Sequence, residues 1–225
     1  MATFNTEING HEVCIYKPQH RFDTVLYWNI SDDEEIDEFL SHFEKQEFAL
    51  VTIRCNDWNA ELSPWKAPTA YKGGEDFAGK ADEHLKMLLG DVIPYVEKCI
   101  GKHDFNGIIG YSLAGLFSIY SFYSCGDFEL CGCVSGSLWY DGFADWISDK
   151  MPLAETGSVY FSLGDKEEAG RNPRFKGNSK CMKEIAAKLN DTEDYEAKFT
   201  FNEGNHFVNA TARMVSCVKW LLGED

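Results

Sequence analysis

The sequence lacks the features that would place the protein in a membrane or divide it into parts. No apolar run approaches the roughly 18 residues that a membrane span needs. Residues 1–7 hold neither a basic nor an apolar segment, so we expect no secretory signal. Internal repeats, low-complexity tracts and inter-domain linkers are also missing. These absences favour a single domain over residues 1–225 with no membrane partner.

Positive charge is scarce. The chain has 21 Lys and Arg against 37 Asp and Glu, a net charge of −16, and no basic cluster interrupts the excess of acid. That balance argues against nucleic acid and anionic membranes as partners. The apolar share of 44% and the aromatic share of 14% are typical of a globular protein. We therefore expect a soluble protein that binds a neutral or cationic small molecule.

The eight cysteines are scattered along the chain. Without an export signal, this pattern favours reduced thiols and a cytoplasmic location. Cys131 and Cys133 could form half of a metal site, but no second pair or nearby histidine completes it. Two thiols facing the core from a buried strand are the simpler interpretation. We therefore expect neither a metal nor a cofactor.

Short apolar runs alternate with helical patterns along the whole chain. Runs of strand type cover residues 10–16 (an edge strand), 24–28 (a central strand), 48–53, 107–109, 130–134, 158–163 and 195–201. Helical patterns begin at Ser31, with acids at 32–35, and cover 81–100, 113–123, 176–189 and 212–222. A polar loop is expected at residues 56–68. The alternation predicts a doubly wound, mostly parallel sheet in a three-layer αβα sandwich.

The most informative segment surrounds Ser112. The strand ending at Gly110 is followed by Tyr111 and Ser112, and a helical pattern begins at once. A serine on such a sharp strand-to-helix turn has strained backbone angles, so the residues two before and two after it must be small. They are Gly110 and Ala114. The turn would expose the Ser112 hydroxyl and bring the Leu113 N–H close to developing negative charge.

With this segment the chain resembles the α/β-hydrolase superfamily, and within it the esterase family that includes esterase D-like, feruloyl-esterase-like and enterochelin-esterase-like proteins. The resemblance covers nearly the whole chain. It is carried by Gly110-Tyr111-Ser112-Leu113-Ala114-Gly115, Asp57-Trp58-Asn59, Ser63-Pro64-Trp65, Gly164-Asp165-Lys166-Glu167 and Gly204-Asn205-His206-Phe207. It implies a serine hydrolase that cleaves a small carboxylic ester or thioester through an acyl-enzyme on Ser112.

The resemblance also implies the partners of the serine. The fold places an acid and then a histidine after the nucleophile, and His206 alone follows Ser112 in a loop at a strand end. The acid of the family commonly lies three residues after the glycine that ends its strand, which is Glu167 here. Asp165 remains the alternative. Its side chain is shorter, but its position so soon after the strand would be too early to reach across to His206. We favour Glu167.

The family pattern places the second oxyanion donor after the first central parallel strand. That position falls near Asn29 or Ile30, and we take Ile30 as the candidate beside Leu113. This sequence lacks the His-Gly pair that is common there.

Aromatic residues follow several predicted strand ends. Trp58, Trp65, Trp139 and Tyr140 could form flat walls for a substrate, or pack beneath their own loops. Only about 20 residues separate the strand at 130–134 from the next strand, so we expect no cap or a minimal one and an open cleft.

Two other functions are compatible with this fold. An acyltransferase would form the same acyl-enzyme, and a non-catalytic ligand-binding relative would retain the fold alone. The sequence leaves the natural substrate and the oligomeric state open.

Overall fold

An eight-stranded mixed sheet forms the centre of the computed structural model, which describes residues 2–31, 36–43, 45–170 and 172–224. Its strands are β1 (Ala2–Ile8), β2 (His11–Lys17), β3 (Thr24–Ile30), β4 (Phe48–Arg54), β7 (Phe105–Tyr111), β8 (Leu130–Val134), β9 (Gly157–Gly164) and β10 (Tyr195–Asn202). Their order in the sheet is β1-β2-β4-β3-β7-β8-β9-β10. A separate two-stranded ribbon pairs β5 (Lys66–Ala67) with β6 (Phe77–Ala78).

Helices cover both faces of the sheet. They are α1 (Ile36–Ser41), α2 (Trp58–Glu61), α3 (Ala81–Met87), α4 (Ile93–Ile100), α5 (Leu113–Ser124), α6 (Phe143–Ser148), α7 (Asn178–Asn190) and α8 (Ala210–Leu221). Buried residues of α1 and α8 pack on one face, and those of α3, α4, α5 and α7 pack on the other. The predicted three-layer arrangement is therefore confirmed. Within the described ranges, no helix is both long and apolar enough to cross a bilayer.

Parallel pairing extends from β4 through β3, β7, β8 and β9 to β10. All seven residues of β3 are buried, as its continuous apolar run predicts for a central strand. The carboxyl ends of these strands meet at one edge of the sheet. In an open α/β sheet, this edge carries the ligand-binding loops.

The predicted edge strand at residues 10–16 is not at the edge. β2 pairs with both β1 and β4, so β1 is the outer strand. Asn9 and Gly10 join β1 to β2 with φ angles of 50° and 82°. Two positive φ angles in a two-residue connection are typical of the tight hairpin turn that Asn-Gly favours.

The helical pattern over residues 81–100 forms one run in three parts, since a π-helical turn (Leu88–Val92) joins α3 to α4. Pro94 explains the wider turn, because it has no N–H to donate and its ring would crowd the carbonyl four residues earlier. The loop predicted at residues 56–68 contains α2 and β5. Asp57 begins α2 by accepting a hydrogen bond from the Ala60 N–H (2.9 Å).

Two other expectations concern the start of the first helix and the cap. The predicted acidic helix start at residues 32–35 lies outside the described residues, and α1 is described from Ile36. Between β8 and β9 the chain forms only the six-residue helix α6. The expected minimal cap is consistent with this short connection.

Cys131 and Cys133 are fully buried on β8, on the side packed against α5 and α7. Burial raises the pKa of both thiols well above its usual value. These residues therefore behave as small core residues, in agreement with the sequence.

Candidate active site

Ser112 occupies the turn between β7 and α5 at the carboxyl edge of the sheet. Its backbone has φ 60° and ψ −120°, a conformation that costs about 1–3 kcal/mol for a residue other than glycine. Hydrogen bonds hold the turn, since the Ser112 N–H donates to the Val134 carbonyl (3.1 Å) and the Ser137 N–H donates to the Ser112 carbonyl (3.0 Å). The strained serine is thus fixed by the last residue of β8 and by the segment that follows this strand.

Small residues permit this turn. A Cβ built on Gly110 would lie 2.4 Å from the backbone of Ala114, closer than any real Cβ contact. One built on Gly115 would lie 3.0 Å from the Gly110 carbonyl oxygen and from the Gly136 Cα. Leu113 is the first residue of α5, so its N–H has no acceptor within the helix. The predicted strand–serine–helix geometry is therefore present.

His206 lies in the loop between β10 and α8, within hydrogen-bond distance of Ser112 and Glu167. Its Nδ1 is 2.8 Å from Glu167 Oε2, and its Nε2 is 2.9 Å from Ser112 Oγ. Because an ionised carboxylate only accepts, Nδ1 carries the hydrogen and donates it to Glu167. The lone pair of Nε2 then accepts the hydrogen bond from the Ser112 hydroxyl. In this tautomer, the imidazole can remove the serine proton.

The structure brings Glu167 to His206 and places Asp165 elsewhere. Asp165 Oδ1 accepts a hydrogen bond from the Gly204 N–H (2.8 Å), so this carboxylate supports the turn that precedes the histidine loop. Glu167 begins a short 3₁₀ turn (Glu167–Ala169) immediately after β9. The three-residue offset from Gly164 has a physical basis, since the Gly164 N–H donates to Glu167 Oε1 (2.7 Å).

Glu167 is held as an anion. Burial raises the pKa of its carboxyl, but hydrogen bonds from His206, Gly164 and Ser135 and the charge of His206 outweigh this effect, and the pKa stays below its usual value. Ser135 Oγ donates to Glu167 Oε1 at 2.8 Å. An ionised carboxylate in this position can orient the imidazole and stabilise its protonated form.

Arg213 is a buried cation beside the same carboxylate, and the sequence reasoning missed it. Its Nη1 lies 2.9 Å from Glu167 Oε1 and 2.9 Å from Ser135 Oγ. Its Nη2 donates to the carbonyls of Glu203 (3.0 Å) and Asn205 (2.9 Å), which flank the His206 loop. One guanidinium on α8 therefore connects the acid to the loop that carries the histidine.

Tyr111 makes a second tie to that loop. Its hydroxyl donates to the His206 carbonyl (2.6 Å), and Arg213 Nη1 lies 3.2 Å from the same hydroxyl oxygen. No local pattern in the sequence points to Arg213 or Ser135, because each lies far along the chain from Glu167.

A cleft of about 270 Å³ adjoins His206 and Glu167. Four aromatic side chains are among the residues that line it: Tyr71, Trp139, Phe175 and Phe207. Phe207 is 86% exposed and stands edge-on to the His206 ring. Trp139 and Phe175 form an edge-to-face pair with centroids 4.9 Å apart. A cleft of this size with flat walls fits a small or planar group better than a long flexible chain.

Of the four aromatic residues proposed as cleft walls, the structure brings only Trp139 to this cleft. Trp65 and Tyr140 pack against each other, and the Tyr140 hydroxyl donates to the Trp65 carbonyl. The Trp65 indole N–H donates to the Asp141 carbonyl (2.8 Å). Trp58 begins α2 and packs on the core. None of these three is among the residues that line the cleft, which agrees with the alternative that they pack beneath their own loops, and their substrate-binding role stays a prediction.

Ile30 lies at the end of β3, and its side chain packs with α1 and α8. It lines a separate polar depression of about 580 Å³ that contains none of Ser112, Glu167 and His206. The Ile30 carbonyl accepts from the Cys55 N–H (3.0 Å). The oxyanion roles of the Ile30 and Leu113 N–H groups stay predictions.

Comparison with known proteins places this geometry in a fold. No family model matches the chain. It is 25% identical over 203 residues to the uncharacterised protein YbbA of Bacillus subtilis, a match that covers 85% of this chain and 81% of YbbA. An IroE-like serine hydrolase from Shewanella oneidensis superposes with a TM-score of 0.80 at 14% identity, covering 97% of this chain and 79% of that one. The siderophore hydrolase EstA from Aspergillus nidulans gives a TM-score of 0.79 at 15% identity, covering 99% and 94%.

These superpositions, the strand order and the serine turn between β7 and α5 define the α/β-hydrolase fold. The predicted fold class is confirmed.

Proposed function

We propose that this protein is a serine esterase that cleaves a small carboxylic ester through an acyl-enzyme on Ser112. The observation that carries the proposal is the continuous hydrogen-bonded series Ser112–His206–Glu167, with contacts of 2.9 and 2.8 Å. A hydroxyl needs a base, and the base needs an orienting acid, before the oxygen can attack a carbonyl. The named hydrolase activities of the two structural relatives support the same reaction class.

In the proposed reaction, His206 Nε2 removes the proton as Ser112 Oγ bonds to the ester carbonyl carbon. The carbonyl oxygen becomes an oxyanion, for which the Leu113 N–H at the start of α5 is the proposed donor. His206 then protonates the departing alkoxide, which leaves as an alcohol, and the acyl group stays on Ser112. In the second half of the reaction, His206 removes a proton from water as the water oxygen attacks the acyl carbon. Ser112 Oγ then leaves and takes the proton back from His206, and the carboxylic acid is released.

Glu167 keeps Nδ1 protonated throughout and offsets the positive charge on the ring. Arg213 is a positioning residue in this scheme. It contacts neither the serine nor the imidazole, and it acts through Glu167 and the loop around His206.

Turnover of a p-nitrophenyl ester tests the proposal. We expect wild-type activity to fall by several orders of magnitude in Ser112→Ala and in His206→Ala, and to persist in Ser148→Ala, which removes an exposed hydroxyl on α6. Equal turnover by wild type and Ser112→Ala would refute it. Product analysis with an added alcohol distinguishes hydrolysis from acyl transfer. An acyltransferase would yield a new ester in place of the free acid.

A further inference from the structure

A second cluster of functional side chains lies outside the cleft, where the β1–β2 hairpin meets α2 and α3. His11 of β2, Glu61 of α2 and His84 of α3 each direct one ligand atom to a common point, and these atoms lie within 4.8 Å of one another. His84 is nearly inaccessible, with its side chain 1% exposed, and the side chains of His11 and Glu61 are 12% and 15% exposed.

The outer nitrogen of each imidazole faces an oxygen atom. His11 Nδ1 lies 3.2 Å from the Asn9 carbonyl oxygen, and His84 Nε2 lies 2.7 Å from Asn29 Oδ1. A carbonyl oxygen only accepts, so each of these nitrogens carries the hydrogen. In the neutral rings, the inner nitrogens, His11 Nε2 and His84 Nδ1, are then bare lone pairs.

Both lone pairs face a carboxylate. His11 Nε2 is 3.2 Å from Glu61 Oε1 without a hydrogen bond, and His84 Nδ1 is 3.7 Å from Glu61 Oε2. Glu61 Oε2 also accepts from the Asn56 N–H (3.2 Å). Electron pairs that converge in this way repel one another unless a cation lies between them.

We propose that His11 Nε2, His84 Nδ1 and a Glu61 carboxylate oxygen bind a divalent transition-metal ion of the Zn²⁺ class. Two imidazoles and one carboxylate are a common zinc donor set. Bonds of about 2.0–2.2 Å place tetrahedral ligand atoms about 3.4 Å apart. The two carboxylate oxygens of Glu61 lie near that distance from the histidines, Oε1 at 3.2 Å from His11 Nε2 and Oε2 at 3.7 Å from His84 Nδ1, and the three ligand atoms lie within 4.8 Å of one another. The hydrogen bonds from the outer nitrogens to Asn9 and Asn29 match the second shell that orients metal-binding histidines.

The site would join three separate elements. The ion would link β2, α2 and α3 on the side of the sheet that carries α5, where His84 also packs edge-on against Phe117. It would also fix Asn29, the neighbour of Ile30 at the end of β3. We therefore expect the ion to stabilise the fold. Zinc at about 100 times its Kd should raise Tm by about 5–10 °C in a protein of this size.

The test is zinc binding to the full-length protein after treatment with a chelator, measured by competition with a chromophoric chelator. We expect one equivalent at submicromolar Kd and, with Co²⁺, visible d–d absorption of tetrahedral intensity. Glu61→Gln is nearly isosteric, and we expect it to weaken zinc binding at least 100-fold and to abolish the Tm rise. His11→Gln should weaken binding at least tenfold, and this variant serves if Glu61→Gln fails to fold.

Two controls separate this site from other zinc ligands. His103→Gln removes a histidine whose two nitrogens likewise face oxygens, those of Gly101 and Asn106. His206→Ala removes the histidine of the catalytic cleft. Both should bind zinc as the wild type does. Binding lost only in His206→Ala, or unchanged in Glu61→Gln and His11→Gln, would overturn the proposal. Zinc binding no tighter than millimolar would also overturn it. In that case the Asn29 amide would face His84 with its Nδ2 as donor, and the hydrogen of the ring would be on His84 Nδ1, where it blocks the metal.

Discussion

At the residue scale, the geometry of the candidate site distinguishes two carboxylates that the sequence could not separate. We expect Glu167→Gln to lower kcat by about 10³–10⁴-fold, because a neutral amide neither holds the Nδ1–H tautomer nor stabilises the imidazolium. Asp165→Asn should change kcat less than tenfold, since its remaining carbonyl oxygen can still accept from the Gly204 N–H. Steady-state kinetics on a p-nitrophenyl ester measures both. The reverse ranking would assign the orienting role to Asp165.

Arg213 gives a prediction that involves pH. Removing its charge in Arg213→Met should raise the pKa of Glu167, because the ionised carboxylate loses a 2.9 Å ion pair. His206 is hydrogen-bonded to this carboxylate and must be unprotonated at Nε2 to act as the base, so loss of the nearby cation should let the Glu167–His206 pair take up its proton at higher pH. The acid limb of the kcat/KM profile should therefore move to higher pH. We also expect kcat to fall about 10–100-fold as the histidine loop loses its anchor.

The matched control is Arg54→Met, which removes a guanidinium from the Arg54–Glu12 surface ion pair. It should leave both kcat and the acid limb unchanged. Arg213→Lys should restore the acid limb in part, since a lysine keeps the charge but cannot reach all five acceptors. An unshifted acid limb in Arg213→Met would show that the arginine only stabilises the fold.

The resemblance and local sequence patterns predicted some of these placements. Ser112 and His206 each lie near a glycine just after the end of a predicted strand. This local pattern is part of the resemblance, so their proximity in the fold could be expected. Arg213 and Ser135 have no such pattern, because their role comes from distant segments that meet only in the fold. The positions of the Trp65 and Tyr140 rings could not be predicted for a related reason. An aromatic residue in a polar loop does not reveal which way its ring turns.

At the scale of elements, the turn between β7 and α5 depends on the absence of a side chain at Gly110. Gly110→Ala places a methyl group 2.4 Å from the Ala114 backbone, which cannot yield as a side chain could. We expect this variant to lose about 1–3 kcal/mol of unfolding free energy and most of its esterase activity. Urea denaturation measures the loss.

Gly90→Ala is the control for that experiment. A Cβ at Gly90, in the π-helical turn, meets nothing within 4 Å. This variant should be neutral, or more stable by up to about 1 kcal/mol, and fully active. Equal stabilities for the two variants would show that the close approach at Gly110 is relieved by a shift of α5.

Most helices and strands were predictable because the spacing of their apolar residues along the sequence matches the face that each element buries. β3 and β8 are buried along their whole length and appear as continuous apolar runs. β1 was missed, although Asn9-Gly10 between two alternating segments is a hairpin signal. The π-helical turn depends on Pro94 within a helix that the tertiary packing keeps continuous, so periodicity alone could not locate it.

At the scale of the whole molecule, the shape of the cleft predicts substrate preference. The connection from β8 to β9 is short, and aromatic side chains line a cleft of about 270 Å³. We expect kcat/KM for p-nitrophenyl esters to fall from short or aryl acyl groups to long acyl chains. Trp139→Ala should reduce kcat/KM for an aryl ester about tenfold, because the ring loses a flat contact surface.

Trp58→Ala is the matched control, since Trp58 packs against the core and is not among the residues that line this cleft. It should leave the preference series unchanged. A clear rise in kcat/KM toward long acyl chains, with no response to Trp139→Ala, would reveal a tunnel and contradict the open cleft.

The central claim is that Ser112 is the nucleophile of an esterase, and covalent labelling tests it most directly. The intact protein is treated with a fluorophosphonate and digested, and the modified peptide is sequenced by mass spectrometry. We expect one adduct, on Ser112, whose formation slows by orders of magnitude in His206→Ala because the hydroxyl loses its base. An adduct on another residue of the wild-type protein, or no adduct at all, would contradict it.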